Sequence, residues 1–284
     1  MAELRKKLDG NAPGEFYVDS SCIDCDLCRQ IAPGIFHDAG EASVVRRQPE
    51  GAAETLRAEM ALVTCPTASI GTLAKRDLKA ALAAFPERID GQVYFCGFAS
   101  EASYGASSYL IVRPGGNVLV DSPRFTEPLV RRLEALGGLR WMFLTHQDDV
   151  ADHEKFHDRF GCDRILHAAD ADFAAERLIE GRDPVRLEDD LLIVPTPGHT
   201  AGHQTLLHLD KYLFTGDHLW GDPSTGRLQA SRRYCWHSWT EQRKSMERLR
   251  GYPFEWVLPG HGARHHAPAA RMREDLDDLI ARMT

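Results

Sequence analysis

The sequence lacks any long apolar segment, and this absence excludes one class of protein. No stretch of the 284 residues approaches the roughly 20 consecutive apolar residues that a membrane-spanning helix needs. The first seven residues include basic side chains, but no apolar segment follows them, so the pattern of a secretory leader is missing too. We therefore expect a soluble, cytoplasmic protein that is neither exported nor bound to a membrane.

An excess of positive charge is also missing. The chain has 34 Lys and Arg residues against 42 Asp and Glu residues, which gives a formal net charge of −8. A negative protein repels polyanions, so we do not expect nucleic acid as a partner. Hydrophobic residues make up 43% of the chain, which is enough for a globular core, and no internal repeat is evident.

The cysteines do not suggest a disulfide framework, because there are seven of them in a long chain without a leader. Four have the spacing of a metal site: Cys22, Cys25 and Cys28 follow one another at intervals of three, and Cys65 precedes Pro66. A tight loop with three thiolates can wrap an iron–sulfur cube, and Cys65 supplies the fourth thiolate. A zinc site made of the same four cysteines is the structural alternative.

This first part resembles a bacterial-type ferredoxin, with one departure. Where the two-cluster pattern C-x2-C-x2-C-x3-C-P has its fourth cysteine, this sequence has Ala32, followed by Pro33. In two-cluster ferredoxins that cysteine serves the other cluster, so the resemblance implies a single [4Fe–4S] cluster on Cys22, Cys25, Cys28 and Cys65. We predict a small α+β ferredoxin-like domain over residues 1–86, including a connector helix at residues 74–85 that Pro86 ends.

The second predicted domain, residues 87–284, contains apolar runs separated by turns, which indicate strands, while the composition of residues 168–180 predicts a helix. In four places a segment rich in His and Asp follows an apolar run. These segments are residues 144–153 (LTHQDDVADH), 196–203 (TPGHTAGH), 214–218 (FTGDH) and 258–262 (LPGHG). A rigid sheet can fix ligands at the ends of its strands, so this recurrence predicts a metal site.

The order and context of these segments resemble the metallo-β-lactamase superfamily, and within it the glyoxalase II-like branch. The resemblance implies an α/β fold, the αβ/βα sandwich of two sheets with helices outside. Carried over position by position, it implies that His146 and His199 hold a first metal. Asp152, His153 and His261 then hold a second metal, Asp217 bridges both, and Asp121 lies beneath the site at a strand end.

The second histidine of the family motif H-x-H-x-D-H is missing. Counting forward from His146, its place holds Asp148; counting back from Asp152, its place holds Val150, so two extra residues make the loop bulge. Either Asp148 or Asp149 can replace the lost imidazole, and the spacing favours Asp148. A carboxylate there shifts the metal preference from zinc toward iron or manganese, or leaves the first position weak.

The resemblance implies two divalent metals, either zinc or iron and manganese, that supply a metal-bound hydroxide as the nucleophile. Asp152 would orient that hydroxide for attack on an ester or thioester. His203 and His218 belong to the motif segments but are not ligands in the family. Arg232 and Arg233 lie in an aromatic-rich segment between two motifs and are candidates for holding an anionic group of a small-molecule substrate.

Two functions compete. The first is a metal-dependent hydrolase in which the cluster domain is structural or regulatory. The alternative is an oxidoreductase in which the [4Fe–4S] cluster, served by an electron-transfer partner, feeds an iron or di-iron centre. That arrangement is similar to flavodiiron proteins, whose motif also carries a carboxylate at the second-ligand position, although no flavin-binding module is visible here. A non-catalytic iron–sulfur protein fits less well, because His199, Asp217 and His261 are all intact.

Overall fold

The computed structural model describes residues 2–284, which form two compact units. The first comprises the chain up to Asn117 together with Ser122–Leu139, and the second comprises Val118–Asp121 together with Arg140–Thr284. The predicted domain boundary near residue 86 falls inside the first unit and stays a prediction. Within the described residues, no helix is long and apolar enough to cross a membrane.

The first unit is built from short strands and helices. Its strands are β1 (Phe16–Val18), β2 (Phe36–Asp38), β3 (Ser43–Val45), β4 (Ile70–Thr72), β5 (Glu87–Asp90), β6 (Val93–Phe95) and β7 (Tyr109–Ile111). Its α-helices are α1 (Leu27–Ile31), α2 (Gly51–Thr64), α3 (Lys79–Ala83) and α4 (Glu127–Ala135), with 3-10 turns at Leu4–Lys6 and Glu101–Ser103. Antiparallel pairing joins β1 to β4, β2 to β3, and β5 to β6 to β7.

The connector helix is shorter than predicted. Only Lys79–Ala83 is α-helical, because side chains and backbone groups of residues 15 and 59 hold the preceding segment in a non-helical conformation. The Leu73 amide donates to the Glu15 carbonyl at 3.0 Å, and the Ala74 amide donates to the Glu15 carboxylate at 2.9 Å. The Arg76 guanidinium contacts Glu59 at 2.6 Å. These tertiary contacts outweigh the helical propensity of the segment.

The second unit contains the segments with predicted metal ligands. Its strands are β8 (Val118–Val120), β9 (Trp141–Phe143), β10 (Asp163–His167), β11 (Arg177–Ile179), β12 (Val185–Glu188), β13 (Leu191–Pro195), β14 (Gln204–His208), β15 (Tyr212–Gly216), β16 (Trp220–Asp222), β17 (Arg227–Gln229), β18 (Trp256–Pro259) and β19 (His265–His266). Its α-helices are α5 (His153–Phe160), α6 (Trp239–Leu249) and α7 (Ala269–Arg282), with 3-10 turns at Gln147–Asp149 and Ala168–Asp170.

Two sheets organise this unit. Strands β8 to β11 pair in parallel, and β8 and β9 are apolar and buried along their whole length, as parallel strands covered on both faces usually are. The second sheet has the order β12-β13-β14-β15-β18-β19. Leu207 and Leu213 on one of its faces belong to the core formed with α6 and α7. Leu206 and Phe214 alternate with them and are also fully buried, so both faces of this sheet are covered.

The prediction of a helix over residues 168–180 is wrong. The chain makes a 3-10 turn at Ala168–Asp170 and then forms β11, which pairs in parallel with β10. The Glu176 carboxylate holds this segment beside β10, because it accepts hydrogen bonds from the Arg164 amide at 2.9 Å and from the Arg164 guanidinium at 2.6 Å. Pairing at the edge of the parallel sheet therefore makes this segment a strand, although its composition favours a helix.

Candidate iron–sulfur and metal sites

The four predicted cluster cysteines line one cavity in the first unit. Cys22, Cys25 and Cys28 lie in the loop after β1 and the first turn of α1, and Cys65 directly follows α2. All four are free thiols. Burial raises the pKa of the Cys28 thiol to about 12 and also raises the pKa of Cys25, so these thiols need a bound cation to become thiolates. A cavity walled by four thiols fits a [4Fe–4S] cluster, which takes four thiolate ligands.

Gly105 packs against Cys25, one of the residues that line this cavity. Its φ is +84°, and a Cβ at this position would lie 2.6 Å from the Cβ and 3.0 Å from the Sγ of Cys25. It would also lie 3.2 Å from the ring of Pro66. Both the backbone conformation and the close approach therefore require glycine. The surroundings of the cysteines thus include a residue well beyond the ferredoxin-like motif.

Four strand-to-loop junctions of the second unit bring their ligand-type side chains together. His146 lies shortly after β9, His199 lies in the loop between β13 and β14, Asp217 follows β15, and His261 lies shortly after β18. Asp217 is at the centre, because its Oδ2 lies 3.9 Å from His146 Nε2, 3.8 Å from His199 Nε2 and 3.9 Å from His261 Nε2. The structure therefore gathers residues that are up to 115 positions apart in the sequence.

Asp148 lies where the missing histidine would be needed. Its Oδ2 is 3.5 Å from His199 Nε2 and 3.8 Å from His146 Nε2, and these three side chains form one group that could hold a metal ion. The neighbouring His199 imidazole keeps the pKa of Asp148 below its usual range, so this carboxylate is charged and able to bind a cation.

Asp149 forms a second group of this kind with His146 and Asp217. It is 1% exposed, and neither of its carboxylate oxygens has a hydrogen-bond partner among the described residues. Burial, followed by the negative charge of Asp217, raises its pKa well above the usual value. Gly260 allows this arrangement, because a Cβ there would lie 2.6 Å from Asp149 Oδ2 and 2.9 Å from Asp217 Oδ1.

Several ligand atoms in this cluster are buried without a hydrogen-bond partner in the described chain, which indicates a cation-binding site. Among the described residues of this cluster, five buried ligand atoms have no hydrogen-bond partner: His146 Nε2, His199 Nε2, Asp149 Oδ1, Asp149 Oδ2 and Asp217 Oδ1. Leaving buried polar atoms unpaired is costly, and a shared cation would satisfy them together. The donor set of imidazoles and carboxylates therefore fits one or two divalent metal ions.

Asp152 and His153 are not part of this cluster, which corrects the prediction from the motif. In the described chain, neither belongs to a group of three converging ligand atoms. Asp152 binds Lys155 at 2.6 Å, while the His153 ring accepts from Arg164 at 3.0 Å and stacks on Phe173 at 4.0 Å. The two extra residues of the loop move this pair onto the start of α5, so the apparent match to the end of the motif misled the prediction.

Hydrogen bonds among Asp121, Thr145 and His146 fix the orientation of the His146 ring. The buried Asp121 carboxylate accepts from the Thr145 amide at 2.8 Å and from its hydroxyl at 3.0 Å, and burial raises the pKa of Asp121 to about 8. That hydroxyl lies 2.9 Å from His146 Nδ1. When the hydroxyl donates to Asp121, it accepts from Nδ1–H, so the lone pair of His146 Nε2 faces Asp217. Burial lowers the pKa of His146 to about 4, so the ring is neutral.

The segment after β17 orients His199 in a similar way, a role that no sequence motif indicated. His199 Nδ1 donates to the Tyr234 carbonyl at 2.5 Å, which leaves Nε2 facing Asp148 and Asp217. The His199 carbonyl accepts from the amides of Trp236 at 2.9 Å and His237 at 3.0 Å. The aromatic-rich segment is therefore anchored directly to the site.

Comparison with known proteins agrees with both parts of the chain. Residues 18–72 match the family model described as the 4Fe-4S single cluster domain of Ferredoxin I. A curated relative, hydroxyacylglutathione hydrolase from Acidiphilium cryptum (strain JF-5), is 34% identical over 119 residues, which covers 39% of this chain and 48% of the relative. The chain thus aligns with about half the length of this relative.

Solved structures resemble the larger part of the chain. The metallo-β-lactamase DIM-1 superposes with a TM-score of 0.55 at 18% identity, covering 70% of this chain and 96% of that protein. A metallo-β-lactamase from Hirschia baltica gives a TM-score of 0.54 at 16% identity, covering 69% of this chain and 95% of that protein. These comparisons confirm the predicted α/β fold. The chain therefore combines a 4Fe–4S single-cluster ferredoxin domain with a region that has the metallo-β-lactamase fold.

Proposed function

We propose that the protein is a metal-dependent hydrolase of esters or thioesters that also carries a [4Fe–4S] cluster. The observation that carries the proposal is the convergence of three imidazole Nε2 atoms on one carboxylate oxygen of Asp217, at 3.8–3.9 Å. The proposed ligands are His146, Asp148, Asp149, His199, Asp217 and His261. Asp149 takes the place that the motif gave to Asp152 and His153.

The residues of the site have separable tasks in this proposal. A divalent cation bound here supplies Lewis-acid polarisation of a carbonyl group and lowers the pKa of water toward neutrality. His146 and His199 direct their Nε2 atoms at the ligand cluster because Thr145 and the Tyr234 carbonyl engage their Nδ1 atoms. Asp217 links the two groups of ligands because its carboxylate is near members of both. Fixed geometry of this kind positions the substrate's reacting group without reorganisation of the site.

A thioester with an anionic group is the substrate class that we favour. A similar protein is named hydroxyacylglutathione hydrolase, and acylglutathiones are negatively charged thioesters. In this chain, Arg232 and Arg233 are exposed on the segment that Tyr234 anchors to His199, and the Arg233 guanidinium lies 5.5 Å from the Tyr234 ring. Trp236 is 64% exposed, with its ring 6.0 Å from the ring of His199. These side chains can contact a carboxylate and an apolar part of one ligand.

Hydrolysis of an acylglutathione thioester by the cluster-loaded protein tests the proposal. We expect His199→Ala to abolish turnover, because it removes one ligand and the partner of Asp148. His37→Ala, which changes an exposed histidine on β2, serves as the matched control and should retain full turnover. Undiminished thioester hydrolysis by His199→Ala would remove the hydrolase assignment.

The carboxylates of the site support a second candidate, an oxidoreductase in which the cluster feeds electrons to an iron or di-iron centre. Asp148 and Asp149 add two oxygen donors, and oxygen-rich sites suit iron and manganese better than all-imidazole sites do. Metal analysis of anaerobically prepared protein, joined to electron paramagnetic resonance, separates the candidates. Zinc in addition to the iron of one cluster favours hydrolysis. Extra iron that is reduced through the cluster, with an electron-transfer partner as donor, favours the redox function.

A further inference from the structure

We propose that Asp170 is a positioning residue that sets the spacing between the two loops carrying His146 and His199. Asp170 ends the 3-10 turn after β10 and is only 3% exposed. Its Oδ1 accepts from the Gly202 amide at 2.6 Å. Its Oδ2 accepts from the Gln147 amide at 3.3 Å and from the Thr200 hydroxyl. One buried carboxylate thus binds both loops.

The positions of these donors make the link specific to the metal site. Gln147 lies between His146 and Asp148, and Thr200 directly follows His199. A shift of Asp170 would therefore change the separation between the imidazoles of His146 and His199, whose ring centroids are 4.7 Å apart. Residues that orient metal ligands in this way typically change metal affinity by about 10–100-fold when they are mutated.

Gly202 shows how closely the loop approaches this carboxylate. A Cβ at position 202 would lie 2.7 Å from both the amide nitrogen and Oδ1 of Asp170. The glycine therefore lets the loop backbone reach the carboxylate directly, so no side chain or water is needed to bridge them. Such a short rigid link transmits the position of Asp170 to the His199 loop.

The substitution Asp170→Asn breaks the link on one side only. The amide oxygen of Asn can still accept from Gly202, but its NH2 group then faces the Gln147 amide, which can only donate. Two facing donors repel, so the loop that carries His146 and Asp148 should move away while the side chain keeps nearly the same volume. The inference rests on the proposed metal site.

The test is a Mn²⁺ titration of cluster-loaded protein after chelator treatment, with free Mn²⁺ followed by electron paramagnetic resonance. We expect Asp170→Asn to weaken Mn²⁺ binding by about 10–100-fold. The matched control is Asp222→Asn, because Asp222 accepts from the Ser224 amide and hydroxyl in the turn after β16. The melting temperature of each variant is measured beside its affinity, and only Asp170→Asn should lose Mn²⁺ affinity.

A milder pair of variants covers the case in which Asp170→Asn fails to fold. Thr200→Val removes one donor to Asp170 and should weaken Mn²⁺ binding, while Thr200→Ser restores the hydroxyl and should regain the affinity. Wild-type affinity in a folded Asp170→Asn or in Thr200→Val would overturn the role of Asp170 and leave the metal site intact. Absence of Mn²⁺ binding by the wild-type protein would instead overturn the proposed site, and the role of Asp170 with it.

Discussion

Replacing Asp149 by Asn should stabilise the metal-free protein while it weakens metal binding. Asp149 is fully buried, and both of its carboxylate oxygens are without a partner among the described residues. Asn has nearly the same shape, carries no charge, and brings an NH2 group that can donate to the nearby Asp217 carboxylate. The substitution therefore turns a repulsion between two carboxyl groups into an attraction.

The size of the effect follows from the distance between these two groups. The ligand atoms of His146, Asp149 and Asp217 all lie within 4.8 Å of one another. Two charges at that separation repel by about 3 kcal/mol at an effective dielectric constant of about 20. The raised pKa of Asp149 relieves part of this repulsion through protonation, so we expect a gain of about 1–3 kcal/mol. For a region of about 200 residues, that gain raises the melting temperature by about 2–12 °C.

The sign of the pH dependence is also fixed. A raised pKa means that folded wild-type protein binds more protons than the unfolded chain, so its stability falls as the pH rises above the ordinary carboxyl range. The Asn variant lacks this loss. The difference in melting temperature between the variant and the wild type should therefore widen as the pH rises above the ordinary carboxyl range.

Thermal unfolding of chelator-treated, cluster-loaded protein measures this difference, and visible absorbance verifies that the cluster remains. Asp170→Asn is the control for burial, because Asp170 is equally buried but hydrogen-bonded, and this variant should melt below the wild type. Saturation with Mn²⁺ at a hundredfold excess over its dissociation constant adds about 2.7 kcal/mol to the wild type and less to Asp149→Asn. A metal-free Asp149→Asn that melts below the metal-free wild type would refute the reasoning.

Two further predictions concern the cluster. Cys65→Ala should lose the iron and the visible absorbance of the cluster, because one of the four thiolates is gone. Cys162→Ala removes a buried thiol elsewhere and should keep both signals. Iron loss in both variants would contradict the assignment. Gly105→Ala should shorten the lifetime of the cluster in air, because its Cβ collides with Cys25. Gly161→Ala, with a similar positive φ of +64° but open space around it, isolates the backbone strain, and equal lifetimes in the two variants would contradict the prediction.

The two sites differed in how far the sequence could predict them. The spacing of Cys22, Cys25 and Cys28 places three ligands on one short loop, so local sequence nearly defines that part of the cavity. His146, His199, Asp217 and His261 were predicted because each follows an apolar strand, and the structure brings them together. Asp149 was only an alternative to Asp148, because a loop with two extra residues has several ways to present its carboxylates.

The sequence by itself determined the α/β class, the strand ends that carry ligands and the four-cysteine motif, because hydrophobic periodicity and short spacings are local properties of the chain. Only the tertiary structure decided which of the histidine and aspartate side chains of residues 146–153 reach the metal-ligand cluster around Asp217. His153 lies on Arg164 and Phe173, while Asp149 turns inward beside Gly260. The roles of Asp170 and of the Tyr234 carbonyl depend on contacts 23 to 35 residues apart in the chain, which packing creates and no spacing rule encodes.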